Sequence, residues 1–202
     1  MITVEQARAL YAQGDTAHDF DHVLRVTALA VKLAEAEGAD IEIVQTAALL
    51  HDIGLDNGRR GHAEVAAQRA YEILAGQPRE KVEAVAQAIR SHRFRAGPAP
   101  QTLEAKCLFD ADKLDAIGAI GVARVFSYAG SHGQHLWAEV PKGYDEHASH
   151  SSEHTPVHEF VVKLSKIKDR LTTEAGRRLG QERHELMVAF FARLDKEVKG
   201  EA

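Results

Sequence analysis

The stretch Ile41–Gly54, IEIVQTAALLHDIG, decides the fold. Val44, Ala47, Ala48 and His51 recur at helical spacing, which predicts an amphipathic helix whose apolar face carries an imidazole at its C-terminal end. Asp40 is suited to cap the start of that helix and Gly54 to stop it. Asp52, directly after His51, adds a carboxylate at the same interior end. A carboxylate in such a place is costly unless it is paired, hydrogen-bonded or bound to a metal. The remainder of the chain should therefore hold whatever compensates it.

Outward from this segment nearly every apolar pattern has helical period, and no alternating run bounded by turn residues competes with it. The predicted fold is all-α, a single helical bundle over residues 1–202. A first helix is expected over about 3–13 and a second from about 19 to Glu37, stopped by Gly38. Helices at about 61–75, from Pro78 onward, and from Thr102 onward follow. Along the fifth, Val82, Val85, Ile89 and His92 share one face; along the sixth, Ala105, Leu108, Asp112 and Asp115 do. Gly118 and Gly121 are expected to interrupt the helix before VARVFSYA resumes it. Residues 130–156 are rich in Gly, Ser, His and charge, which predicts a long mobile loop, either a lid over a site or a plain connector. Trp137 and Tyr144 within it are suited to stack on a base or sugar. Helices at about 156–170 and 173–198 complete the chain.

Composition narrows the function classes. A chain of 202 residues, 45% hydrophobic, can bury a sizeable core. Its net charge of -5 comes without a basic block, so no nucleic acid polymer is expected as a partner. The one cysteine, Cys107, reads as a core residue in a reducing compartment. No secretory signal is visible, and no run approaches the roughly 20 apolar residues that cross a bilayer, so a cytoplasmic protein without membrane partners is expected.

The compensating groups lie on two other predicted helices. His22 lines up with Val26, Leu29 and Leu33, and Asp112 lies on the mixed face of the sixth helix. Each residue alone has an ordinary structural reading. Together, His22, His51, Asp52 and Asp112 project two imidazoles and two carboxylates inward, a ligand set suited to a divalent transition metal with positions left for water and substrate. The histidines of the presumed loop, His132, His135, His147, His150 and His154, carry no weight in this reading.

The order His22, His51-Asp52, Asp112, with the surrounding HDFDHVLRV, ALLHDIG and FDADKLDAIGAIGVAR, resembles the H…HD…D signature of the HD-domain metal-dependent phosphohydrolases, in a small bacterial branch of that superfamily. The resemblance extends to KLSKIKDRLTTEAGRRLGQERHELM near the C-terminus. It implies an all-α HD-type bundle holding a divalent metal, manganese first, with magnesium, cobalt, nickel and iron also admissible. It further implies a small phosphorylated substrate, foremost a nucleotide, attacked by pyrophosphate release, terminal phosphate removal or phosphodiester cleavage. Arg25 and Lys113 are the candidate phosphate-binding cations, with Arg59, Arg60 and Arg93 behind them. His62 and His92 are assigned as phosphate-facing donors or a general acid; in some HD relatives two such extra histidines hold a second metal. His18 and Asp115 are expected to steady the ligands, and Asp56 to orient water. Two other readings stay open: a di-iron oxygenase, which needs both His62 and His92 as ligands, and a non-catalytic nucleotide sensor. Either a monomer or a homodimer is compatible with the chain.

Overall fold

The computed structural model describes residues 1–11, 20–53, 61–93, 98–144 and 153–201. Its helices are α1 (Val4–Arg8), α2 (Phe20–Glu37), α3 (Ile41–Leu50), α4 (His62–Ile73), α5 (Arg79–Arg90), α6 (Leu103–Leu114), α7 (Gly118–Ser131), α8 (Pro156–Val162) and α9 (Glu174–Val198). A 3₁₀ stretch, Leu164–Arg170, lies between α8 and α9. No strand occurs among the described residues, and the fold is all-α. No helix among them is long and apolar enough to cross a membrane.

The backbone gathers into two compact units, Met1–Lys113 with Thr172–Gly176, and Leu114–Leu171 with Arg177–Ala202. In the first, α2 packs on α3, α3 on α5, and α5 on α4. Val23, Val26, Ala30 and Leu33 of α2, Val44, Ala47 and Leu50 of α3, and Val85 and Ile89 of α5 are wholly buried. Burial of this kind is the main stabilising contribution, about 25 cal/mol per Å² of apolar surface removed from water. Cys107 is part of this core, and burial pushes its thiol up to about 12.

Local chemistry sets the helix ends. Asp40 accepts from the backbone N–H of Glu42 and Ile43 at 2.9 and 3.2 Å, capping α3. Thr102 accepts from Ala105 N–H at 3.2 Å at the start of α6. Gly38 closes α2 with φ +79°, a left-handed turn that a Cβ would strain. The N-terminus of α9 is satisfied from a distance: the carboxylate of Asp110, fully buried on α6, accepts from Thr172 N–H at 2.9 Å and Thr173 N–H at 2.8 Å. The hydroxyls of Thr172 and Thr173 donate to the same carboxylate at 3.0 and 2.6 Å. Glu37 accepts from Ala175 N–H at 2.6 Å. Two carboxylates at the positive end of a helix macrodipole are favourably placed.

The second unit departs from the sequence expectation in three places. Gly121 does not interrupt a helix; it lies inside α7, where a Cβ would fall 2.3 Å from the Ala116 carbonyl oxygen, so only glycine permits that approach. The helix predicted over about 156–170 is α-helical only to Val162. Beyond it a three-residue repeat takes over, because the 3₁₀ pitch turns Leu164 and Ile167 to the same buried side. The loop predicted from 130 begins two residues later, after Ser131, and its described flanks are anchored. Tyr144 lies tilted against His158 at 4.3 Å and its hydroxyl meets His154 Nδ1 at 3.1 Å, while His154 Nε2 meets Glu159 at 3.0 Å. His154, set aside in the sequence reading as a loop histidine, is buried, and Tyr144 spends its ring on the protein itself.

Candidate metal centre

The first unit brings six titratable residues, His22, His51, Asp52, His62, His92 and Asp112, together at one point. Asp52 follows the end of α3, and its two oxygens face different imidazoles. Oδ2 lies 3.3 Å from His51 Nε2 and 3.7 Å from His22 Nε2. Oδ1 lies 3.5 Å from His62 Nε2 and 3.7 Å from His92 Nε2. Asp112 Oδ1 is 3.6 Å from His22 Nε2. Two groups of potential ligands result, His22–His51–Asp112 and Asp52–His62–His92, each with donor atoms within 4.8 Å of one another.

Helix ends aim these rings. His51 is the C-cap of α3, and its Nδ1 lies 2.7 Å from the Ala48 carbonyl. His92 follows α5, and its Nδ1 lies 2.6 Å from the Ile89 carbonyl. A carbonyl only accepts, so Nδ1 carries the hydrogen in both rings, and the lone pair of each neutral imidazole is on the Nε2 that points at Asp52. The same device thus occurs at the ends of two helices, the last turn offering a free carbonyl that orients an imidazole three residues on. His62 starts α4, and its Nε2 is 3.2 Å from that of His92. The turn carrying His51 and Asp52 is held from both sides. Tyr11 Oη donates to the Leu49 carbonyl at 2.9 Å, and Arg69 Nη1 donates to the Ile53 carbonyl.

Electrostatics divides the imidazoles. Full burial opposes charge on His51, but the adjacent Asp52 carboxylate, helped by Asp112 and the Ala48 carbonyl, carries it up to about 9. Burial, reinforced by a charged His51, drives His92 down to about 3. Asp52 and Asp112 are both held well below the usual carboxylate range; burial opposes this, and the surrounding imidazoles, with Lys113 for Asp112, outweigh it. The donor set, four imidazole nitrogens and two carboxylates, is of the borderline type that divalent transition metals prefer. A further observation fits a metal: among the described residues no hydrogen bond satisfies the buried His51 Nε2, which faces Asp52 Oδ2 at 3.3 Å.

The other predicted site residues are distributed as follows. Lys113 is buried, donates to Asp112 Oδ2 and lies over the Phe109 ring at 5.3 Å. Arg25, one turn beyond His22 on α2, and Arg93, directly after His92, are half-buried. Asp115 belongs to the second unit, where Arg124 Nη1 donates to it at 2.9 Å. His18, Asp56, Arg59 and Arg60 lie outside the described residues. Sequence reasoning missed Tyr11, Arg69 and Asp110. For Asp110 the local signal is the pair Thr172-Thr173 at a helix start, whose free N–H groups need an acceptor.

The HD domain family matches residues 19–117, a span that contains all six potential ligands. The Bacillus subtilis protein YpgQ is 33% identical over 199 residues, covering 96% of this chain and 90% of YpgQ. The chain belongs to the HD-domain family. The structure of YpgQ in complex with ADP superposes on this HD protein with a TM-score of 0.77 at 32% identity, over 99% of this chain and 100% of that one. An HD-superfamily hydrolase from Bacillus thuringiensis follows it with a TM-score of 0.74 at 29% identity, over 97% and 94% of the two chains.

Proposed function

We propose that this HD protein is a metal-dependent phosphohydrolase whose substrate is a nucleotide. The observation that carries the reading is the Asp52 carboxylate, with one oxygen facing His22 and His51 and the other facing His62 and His92. The complex of its relative YpgQ with ADP supports the nucleotide, and the Bacillus thuringiensis hydrolase supports the reaction class.

His22, His51, Asp52 and Asp112 would hold a divalent ion, with manganese the first candidate, and His62 and His92 complete a second set of ligands around Asp52. When bound, such an ion supplies Lewis acidity toward a phosphoryl oxygen and acidifies water enough for attack near neutral pH. The chain supplies the rest. The Ala48 and Ile89 carbonyls keep the rings of His51 and His92 in one tautomer. Lys113, next to Asp112, and Arg25, one turn beyond His22, are assigned to bind the charge that spreads over the phosphoryl oxygens.

The test is elemental analysis of the purified protein, followed by phosphate and pyrophosphate release from a panel of nucleotides with Mn²⁺, Mg²⁺, Co²⁺ or Ni²⁺. Metal-dependent release is expected, and the product identifies the phosphorus attacked. The proximity of His62 and His92 to Asp52 also favours a second reading, a di-iron oxygenase. About two irons per chain with no release from any nucleotide would replace the hydrolase by that activity.

A further inference from the structure

Helix α4 carries His62 at its start and Arg69 two turns further on. Seven residues turn a helix through about 700°, so the two side chains project within about 20° of each other, about 10 Å apart along the axis. Both reach the turn that follows α3. His62 Nε2 lies 3.5 Å from Asp52 Oδ1, and the Arg69 guanidinium donates to the carbonyl of Ile53, the next residue. A helical side chain leans toward its own N-terminus, and an arginine is long enough to reach back toward the His62 end.

The rest of α4 specifies its position along its own axis only loosely. Apart from His62, the buried residues of the helix are Ala63, Ala66, Ala67 and Ala70, and α4 packs on α5. Methyl groups make shallow ridges, which permit close approach but resist sliding little. The N-cap is Gly61, with φ +80° and no side chain to hold the helix start. Arg90 pairs with Glu64 at 3.1 Å and the Tyr71 hydroxyl donates to Glu83 at 2.6 Å, but these ties between α4 and α5 run through exposed carboxylates and hold weakly. Arg69 is different: it is half-buried, and its acceptor is the backbone of a buried residue in the turn that bears the ligands. The rigid fork of a guanidinium makes such a tie specific in length and direction. We infer that Arg69 is a positioning residue, which sets the distance from His62 to Asp52 and thereby the affinity of the Asp52–His62–His92 group for a divalent cation. The inference rests on the reading of that group as metal ligands. His92 takes its orientation from the Ile89 carbonyl at the end of α5, which packs on α3, so the effect of Arg69 falls on His62.

The test is Mn²⁺ binding to the full chain, followed by the electron paramagnetic resonance of the free ion, in wild type, Arg69→Gln, Arg69→Lys, His62→Ala, and His62→Ala combined with Arg69→Gln. Glutamine is too short to reach the Ile53 carbonyl, and Arg69→Gln is expected to weaken binding about tenfold. Lysine keeps a donor at similar length, so Arg69→Lys is expected to recover most of that loss. In the His62→Ala background Arg69→Gln should change the affinity by less than about twofold, because the ring it positions is gone. Unchanged binding in Arg69→Gln, or an equal loss with and without His62, overturns the inference; a role in folding alone would lower affinity alike in both backgrounds. The histidine ring resonances of the metal-free chain give a second measurement, one that Arg69→Lys supplies even where Arg69→Gln does not fold. Those of His62 are expected to move and those of His22, on α2, to stay. Stationary His62 resonances overturn the role of Arg69, whereas a wild type that takes up no Mn²⁺ overturns the reading of these residues as ligands.

Discussion

Asp52 meets histidines from four different segments, so its loss should be felt by both ligand groups at once. Asp52→Ala is expected to reduce metal retention at least about 100-fold. Asp112→Ala, which touches only the group containing His22 and His51, should leave more metal bound. Elemental analysis after gel filtration distinguishes the two, and equal losses would sink the sharing of Asp52 between groups. The titration of the same residues sets a pH profile for the metal-free protein. His51 has its folded pKa raised to about 9, so its contribution is complete below about 6.5 and is lost as pH rises through about 9. His92 is depressed to about 3, so the fold loses stability as pH falls below about 6.5, where the unfolded chain takes up that proton first. The depressed carboxylates of Asp52 and Asp112 add a further loss as pH falls through and below their ordinary 3.8. Denaturation midpoints in chelator should therefore peak near pH 6.5, and a flat profile would contradict the shifts. Metal uptake must displace the proton on His51, so apparent affinity should rise about tenfold per pH unit between about 6.5 and 9, read by chelator competition.

Among the elements, α3 and α5 each end in a histidine oriented by its own last turn, and the turn after α3 is also gripped from outside by Tyr11 and Arg69. Tyr11→Phe removes the donor to the Leu49 carbonyl and is expected to lower stability by about 1 kcal/mol, with a measurable fall in metal affinity because the same turn carries His51 and Asp52. Unchanged affinity at reduced stability would show that the grip serves folding alone. Asp110 is the instructive acid of α6. In the sequence it lies two residues before Asp112 and off the face expected to hold metal, which marks it as a neutral control. In the fold it anchors the start of α9 through Thr172 and Thr173. Asp110→Ala should leave buried donors unsatisfied and cost about 2–4 kcal/mol in urea denaturation, without changing the ligand set. The caps Asp40 and Thr102 were legible in advance because a cap acts within three residues of itself. The partner of Asp110 lies 62 residues away, beyond the reach of any local pattern.

Over the whole molecule, α9 begins in one compact unit and continues in the other. A helix shared in this way couples their unfolding, so one cooperative transition is expected in thermal or urea denaturation, with coincident probes. Divalent metal at 100 times its dissociation constant should raise stability by about 2.7 kcal/mol, and chelator should reverse it. Two separated transitions would instead make the units independent domains. The helical period, the capped starts of α3 and α6, and the inward faces of His22, His51, His92 and Asp112 follow from sequence alone, because helix geometry converts spacing directly into a side of the helix. Helix packing decided which of those faces meet. It gave Asp52 a pair of imidazoles on each oxygen, brought His62 and His92 to it, and turned Tyr144 onto His158. Spacing along the chain carries no distance between helices; that distance is set by how their side chains fill the space between them.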